Sequence, residues 1–217
     1  MEQKYDEKWE QLLADLSDMS EVAEEMLQDA IKALDSKDAA LAKKVINRDD
    51  VLDNYQITVE EKVSRLLSMN QPLISDTWNN IAAVKIAGDL ERIGDLANDI
   101  AEAVLELKNE EYLEPLVMIP ELAETVSEML DAALEAFITK NVDLAEAVCR
   151  KDEEADNIFE QIYKSSIKLI DKSEGTRKIS QVVRFISVAK ALERIGDHAT
   201  NIGEETIYTV TGKRVKY

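Results

Sequence analysis

The feature that most constrains the fold of this chain is an internal repeat. The segment LERIGDLANDI at 90–100 is matched by LERIGDHATNI at 192–202, and MLQDAIKALDSKDAALA at 26–42 is matched by MLDAALEAFITKNVDLA at 129–145. The matching segments are offset by 102 residues in the first case and by 103 in the second, so one loop differs by a residue. Repetition on this scale predicts two copies of one supersecondary unit.

We place the two domains at 1–113 and 114–217, with the joint at 113–120, where two of the three prolines lie. Glycine and proline together number only nine of 217 residues, and aromatic residues make up 5%. A β-sandwich or barrel needs more turns and more aromatic residues than this, so the composition favours an all-α fold. The sequence contains no apolar run of 18 residues, so we expect no membrane-spanning helix. The charged N-terminus is unlike a secretory signal.

Apolar spacing predicts three long helices in each domain. In the first domain we expect helices near 6–35, 38–69 and 76–108; the second of these keeps a helical apolar pattern at Leu41, Val45, Leu52, Val59 and Leu66. Asp38 and Asp76 are candidate N-caps. The expected breaks are Ser36-Lys37, Asn70-Gln71-Pro72, Lys140-Asn141 and the segment 171–176. Such short connections make neighbouring helices antiparallel, so the prediction is two tandem three-helix bundles.

The formal net charge is −19, divided as −14 in the first domain and −5 in the second. This charge argues against a general nucleic-acid binder, because phosphates would repel the chain. It leaves cations, basic protein surfaces or solubility as explanations. The second domain also contains a basic stretch, formed by Lys172, Arg177, Lys178, Arg184 and Lys190. The one cysteine, Cys149, fits a reducing compartment.

Part of the acidic charge follows a geometric pattern. Each predicted hairpin has a DxxxD motif on one helix and an ExxxD motif on the next, and acids four residues apart share a helix face. In antiparallel helices, residues at one level have a constant sum of residue numbers, which is 144 for both pairs of the first domain and 349 for both pairs of the second. The level pairs are Asp49 with Asp95, Asp53 with Glu91, Asp152 with Asp197, and Asp156 with Glu193.

We call these two sets the first and second acidic quartets. Carboxylates without histidine or cysteine suit hard or borderline cations such as Mg, Ca, Mn or Fe. A helical wheel places Glu91 and Asp95 towards solvent, so a shared site would be shallow. The alternative is a solvated acidic face paired with Arg92 and Arg194. Gly94 and Gly196 lie between the paired acids, where they allow close approach of either an ion cluster or a neighbouring helix.

Tandem three-helix domains, each with DxxxD on its second helix and ERIGD on its third, resemble the PhoU family. The resemblance covers nearly the whole chain, including IYTVTGKRV at 207–215. It implies a cytoplasmic regulatory adaptor of phosphate uptake and a negative regulator of the phosphate-starvation response. Such an adaptor connects the ATPase component of a phosphate ABC transporter to a membrane sensor histidine kinase; a homodimer stays open.

The resemblance also implies metal ions, in some members multinuclear clusters, with Fe, Zn, Mn or Mg as candidates. Carried over residue by residue, the ligands are Asp49, Asp53, Glu91 and Asp95 for one cluster and Asp152, Asp156, Glu193 and Asp197 for the other. The second domain has Asn201 where the first has Asp99, which predicts a weaker second site. Asp50, Glu153 and His198 are further candidates, and a structural role is the simpler expectation for His198.

Two alternatives to a metal-binding adaptor remain. A metal-dependent phosphate-ester hydrolase could use carboxylate-bridged ions, but a shallow site without a histidine general acid or base argues against an enzyme. A purely structural helical module would bind neither metal nor transporter. The sequence shows no P-loop, no dinucleotide fingerprint and no Ser-His-Asp pattern. Trp9 and Trp78 are expected in the core or at a partner contact, and Cys149 as a small buried hydrophobic residue.

Overall fold

The computed structural model describes residues 2–68, 74–112, 118–172 and 175–217. Side chains are described for 5–68, 76–112, 118–170 and 175–217. These residues form helices without any β-strand. The helices are α1 (Glu2–Ser36), α2 (Ala39–Ile46), α3 (Asp49–Ser68), α4 (Ile74–Leu107), α5 (Met118–Thr139), α6 (Val142–Lys172) and α7 (Thr176–Thr211). The prediction of an all-α fold with two tandem three-helix bundles is confirmed.

The first turn of each bundle has the same construction. Lys37 and Lys140 both have a positive φ of 56°, which ends α1 and α5 at equivalent positions of the repeat. Asp38 then accepts hydrogen bonds from the amides of Ala40 and Leu41, so its predicted N-cap role is confirmed. Asn141 accepts a hydrogen bond from the amide of Leu144 in the second bundle.

Two local predictions are wrong. The helix expected over 38–69 is divided into α2 and α3 by a turn at Asn47 and Arg48. Asn47 ends α2 by donating its amide to Lys43 and Val45, and two aspartates then begin α3, where the positive end of the helix dipole favours them. Asp76 is not an N-cap, because α4 begins at Ile74 and Asp76 lies in its first turn.

The two bundles share one hydrophobic core. Buried residues of both, including Leu90 and Leu192, belong to a single contiguous cluster. The bundles meet where α4 packs against α7 and α1 against α5, and Trp9 of α1 makes an edge contact with Phe137 of α5 at 6.4 Å between ring centroids. The break predicted at 171–176 is confirmed, because α6 ends at Lys172 and α7 begins at Thr176, although 173 and 174 lie outside the described residues. The predicted break at 70–72 and the domain boundary between 113 and 114 also lie outside them.

Polar contacts cross the junction between α4 and α7. The Asp89 carboxylate receives hydrogen bonds from His198 Nδ1 at 2.8 Å and Asn201 Nδ2 at 3.2 Å. One helical turn away, Lys85 of α4 pairs with Glu205 of α7 at 2.5 Å. These contacts fix the position of the second bundle against the first. In the described parts of the chain, none of the helices combines the length and apolarity needed to cross a membrane.

Candidate functional site

The first acidic quartet lies across the pair formed by α3 and α4. The Asp49 carboxyl has a raised pKa because it is partly buried and because Asp95 and Asp53 repel its negative charge. Burial likewise raises the pKa of Glu91, with a further contribution from Asp95. Asp53 and Asp95 therefore lie close enough to Asp49 and Glu91 to disfavour the charged forms of those two carboxyls.

The second quartet lies at the equivalent place on α6 and α7. Burial, followed by repulsion from Asp156 and Asp197, raises the pKa of Asp152 to about 6. Burial and then Glu193 also raise the pKa of Asp197. The second bundle thus repeats the arrangement of the first, and its Asp152 carries a clear electrostatic cost in the charged form.

The depth of the quartets differs from the helical-wheel prediction. The Glu91 side chain is only 15% exposed and that of Glu193 only 13%, whereas Asp53 and Asp156 are exposed. The expectation that Glu91 faces solvent is wrong, because most of its side chain is covered. What remains exposed lines a cavity of about 440 Å³ together with residues of α7 such as Asn201 and Glu205. Each quartet therefore has a covered glutamate and opens to solvent at an aspartate.

Nearby cations and amides already occupy some of the carboxylates. Arg92 pairs with Asp95 at 2.6 Å, and Lys190 pairs with Glu193 at 2.5 Å. Asn98 donates a hydrogen bond of 2.5 Å to Asp49. Within the part of the chain that the structure describes, no three acidic, histidine or cysteine side chains are arranged so that they could hold one metal ion. Binding a cation would therefore require these side chains to turn away from their present partners.

The two repeated glycines have different neighbours. A Cβ on Gly196 would lie 3.4 Å from Asp152 Oδ1, so the missing side chain leaves room for the carboxylate. A Cβ on Gly94 would instead overlap the Cδ1 atom of Leu52, which is fully buried. Gly196 therefore allows a carboxylate to approach its helix, whereas Gly94 allows close packing of the neighbouring helix.

The remaining candidates lie around the quartets or apart from them. Asp99 lines a cavity of about 350 Å³ together with Asp49, Asp95 and Arg194. Asp50 and Glu153 are exposed. His198 and Asn201 both bind Asp89 at the bundle junction, which gives His198 a structural contact and explains why Asn201 departs from the repeat.

Cys149 is buried, as predicted. Burial raises the pKa of its thiol to about 12, so it stays protonated and poorly nucleophilic. Trp78 is partly exposed and makes an edge contact with Tyr208 at 5.2 Å between ring centroids.

Sequence reasoning missed two residues that shape this region. Asn98 holds Asp49, and its position three residues after Asp95 on the same helix face is a signal that could have identified it. Asp89 joins the bundles, but its counterpart in the repeat is Ala191, so a comparison of the repeats gives no indication of it.

A known protein family matches both halves of the repeat. The PhoU domain model matches the chain twice, at residues 16–104 and 119–206. The "Phosphate-specific transport system accessory protein PhoU homolog" of Clostridium acetobutylicum is 38% identical over 207 residues, which is 95% of this chain and 94% of that protein. PhoU homolog 1 of Thermotoga maritima is 34% identical over 206 residues, covering 94% of this chain and 88% of that protein.

Solved structures have the same fold. The crystal structure of PhoU from Pseudomonas aeruginosa superposes with a TM-score of 0.92 at 32% identity, covering 96% of this chain and 100% of that one. The phosphate transport system regulatory protein PhoU from Streptococcus pneumoniae gives 0.91 at 29% identity, covering 98% of this chain and 100% of that one. By its repeated domain, its near full-length relatives and its fold, the chain belongs to the PhoU family.

Proposed function

We propose that the chain is a cytoplasmic accessory protein of a phosphate-specific transport system and acts there as a regulatory adaptor. It docks on the ATPase component of a phosphate ABC transporter and on a membrane sensor histidine kinase, and it represses the phosphate-starvation response while phosphate is plentiful. The observation that carries this proposal is the double PhoU-domain match, together with relatives named as accessory or regulatory proteins of phosphate transport.

Cations at the two acidic quartets are the second part of the proposal. The carboxylate donors fit Mg, Mn, Fe or Zn. Burial, followed by repulsion from neighbouring carboxylates, raises the pKa values of Asp49, Glu91, Asp152 and Asp197, so their charged forms are disfavoured. A bound cation would stabilise those charged forms. The ligands would be Asp49, Asp53, Glu91 and Asp95 in the first quartet and Asp152, Asp156, Glu193 and Asp197 in the second.

We regard the chain as a non-enzyme, with a metal-dependent phosphate-ester hydrolase as the alternative. Hydrolysis at bridged metal ions benefits from a site that admits the attacking water but excludes bulk solvent. The quartets instead open to solvent at Asp53 and Asp156. A panel of phosphate esters with added Mn or Mg separates the two functions, because turnover above about 1 per second would establish an enzyme.

The adaptor proposal is tested by affinity purification of the tagged full chain from phosphate-replete cells of its source. We expect the transporter ATPase to copurify and deletion of the gene to switch on a starvation reporter. The Asp95→Ala/Asp197→Ala variant should copurify less ATPase and should repress the reporter less well when it replaces the wild type. The variant Asp18→Ala/Glu154→Ala, which changes two exposed acids outside the quartets, should match the wild type in both measurements. Absence of the ATPase together with an unchanged reporter in the deletion strain would overturn the proposal.

A further inference from the structure

Four large apolar side chains are exposed on adjacent helices at one end of the second bundle. They are Tyr163 and Ile167 on α6 and Ile179 and Val183 on α7, with exposures of 45%, 46%, 37% and 48%. The residue numbers of Ile167 and Val183 sum to 350, within one of the 349 shared by the level pairs of the second quartet, so these two residues lie at nearly one level of the antiparallel hairpin. Tyr163 lies one helical turn nearer the quartet on α6, and Ile179 lies one turn farther from it on α7. These residues form two short parallel rows, which we call the α6–α7 apolar patch.

The patch extends towards the second acidic quartet. The ring of Phe159 lies 6.3 Å from that of Tyr163, and the ammonium of Lys190 lies 5.4 Å from the centre of the Phe159 ring. Lys190 in turn pairs with Glu193 of the quartet. An apolar surface of this kind on two neighbouring helices is suited to receive another helix.

The fold itself does not require this apolar surface. At the equivalent positions of the first bundle, the repeat places Glu60, Ser64, Thr77 and Ile81. Three of the four counterparts are therefore polar, although the bundle is built in the same way. The shared fold therefore does not impose apolar side chains at these positions of the second bundle.

Basic residues surround the patch on a chain whose net charge is −19. Lys164 pairs with Glu160 and Arg184 with Glu106. Lys168 and Lys178 form no ion pair with any residue that the structure describes. The patch therefore combines apolar contact area with local positive charge, and a complementary partner would be apolar on one face and acidic along its edges.

We propose that the α6–α7 apolar patch is a docking surface for an amphipathic helix with acidic flanks, contributed by a partner protein. A second copy related by a twofold axis through the patch would place lysines against lysines. An anionic bilayer fits less well, because the apolar side chains are less than half exposed and lie in the surface instead of projecting from it. A helix laid between the two rows can contact both at once.

This inference rests on the adaptor role proposed above, but it can be tested with purified components. The probe is a fluorescent helical peptide of about 18 residues, long enough to form an isolated helix, with leucines on one face and glutamates on both edges. Fluorescence anisotropy measures its binding to the full chain. We expect micromolar affinity, much weaker binding of a matched peptide with lysine edges, and weakening by added salt.

The variants assign the binding to the patch. Ile167→Ser/Val183→Ser should weaken binding about tenfold or more, and Lys168→Glu/Lys178→Glu should also weaken it. Ile57→Ser, which changes an aliphatic side chain that is 55% exposed on α3 of the other bundle, should leave it unchanged. All these side chains are exposed, so the variants should keep the wild-type melting temperature, which is measured on the same samples.

Three results would overturn the inference. One is no peptide binding, or equal binding of both peptides, and another is binding that Ile167→Ser/Val183→Ser does not change. The third is that this variant instead abolishes self-association or binding to anionic lipid vesicles. If the peptide fails but the transporter ATPase still copurifies with the chain, the docking surface is refuted while the adaptor role stands.

Discussion

Asp152 and Gly196 lie side by side in the α6–α7 hairpin, where Asp152 Oδ1 is 3.4 Å from the position that a Cβ on Gly196 would occupy. At the equivalent place in the first bundle, Leu52 fills the space beside Gly94. The counterpart of Leu52 in the repeat is Ala155. The glycine of the repeated ERIGD segment therefore makes room for a carboxylate in the second bundle and for a packed leucine in the first.

Alanine substitution should separate a packing glycine from a permissive one. We expect Gly94→Ala to lower the free energy of unfolding by about 1–2 kcal/mol, because overpacking against the buried Leu52 outweighs the gain in helix propensity. Gly88→Ala on the same helix is the matched control. The nearest atom to its Cβ would be Gln56 Nε2 at an ordinary 3.8 Å, so it should raise the free energy of unfolding by about 0.5–1 kcal/mol. Equal effects in urea unfolding would refute this distinction.

The contact between α1 and α5 should make stability depend on pH. Burial raises the pKa of Glu24 to about 7, and a hydrogen bond and charge repulsion from Asp131 add to the effect. Because the folded state binds this proton more tightly than the unfolded state, the contribution of Glu24 to stability is fully present below the ordinary pKa of 4.5 and is lost as the pH rises to about 7.

Glu24→Gln should remove that loss. At pH 8 we expect a melting temperature about 2–4 °C above wild type, which corresponds to about 1 kcal/mol after allowance for solvent screening. The gain should disappear near pH 4. Glu10→Gln, an exposed acid on the same helix, should show no such change. A Glu24→Gln profile parallel to that of wild type across this range would contradict the raised pKa of Glu24.

Asp89 should link the stability of the two bundles. Its loss leaves His198 and Asn201 without their carboxylate partner, so Asp89→Ala should lower the free energy of unfolding by about 1–3 kcal/mol. Glu102→Ala, an exposed acid on the same helix, is the control and should change it little. Chemical denaturation measures the free energy of unfolding, and amide hydrogen exchange measures protection at the α4–α7 contact. Unchanged amide protection in Asp89→Ala would disprove the link.

The internal repeat and the spacing of its residues predict much of this architecture, but they do not predict the contacts between the bundles. The levels of Asp49 and Asp95 follow from residue numbers because both helices are regular. The turn at Asn47 was missed because the apolar pattern continues from Val45 to Leu52 across it. The bond from His198 of α7 to Asp89 of α4 joins the two bundles, and such tertiary contacts leave no periodic signal in one helix.

Metal content, measured by mass spectrometry on the purified full chain after desalting, tests most directly the claim that the acidic quartets bind cations. We predict stoichiometric metal in the wild type, partial loss in Asp49→Asn/Asp95→Asn and in Asp152→Asn/Asp197→Asn, and none when all four changes are combined. The raised pKa values of Asp49, Asp152 and Asp197 mean that neutralising these carboxyls relieves repulsion, and the Asp95 side chain is partly exposed, so these variants should fold.

The control Asp18→Asn/Glu154→Gln should keep the wild-type metal content, because both acids are exposed and lie outside the quartets. Metal that follows the quartets in this way would support the account. A wild-type chain without bound metal, or equal metal in the wild type and the fourfold variant, would contradict it.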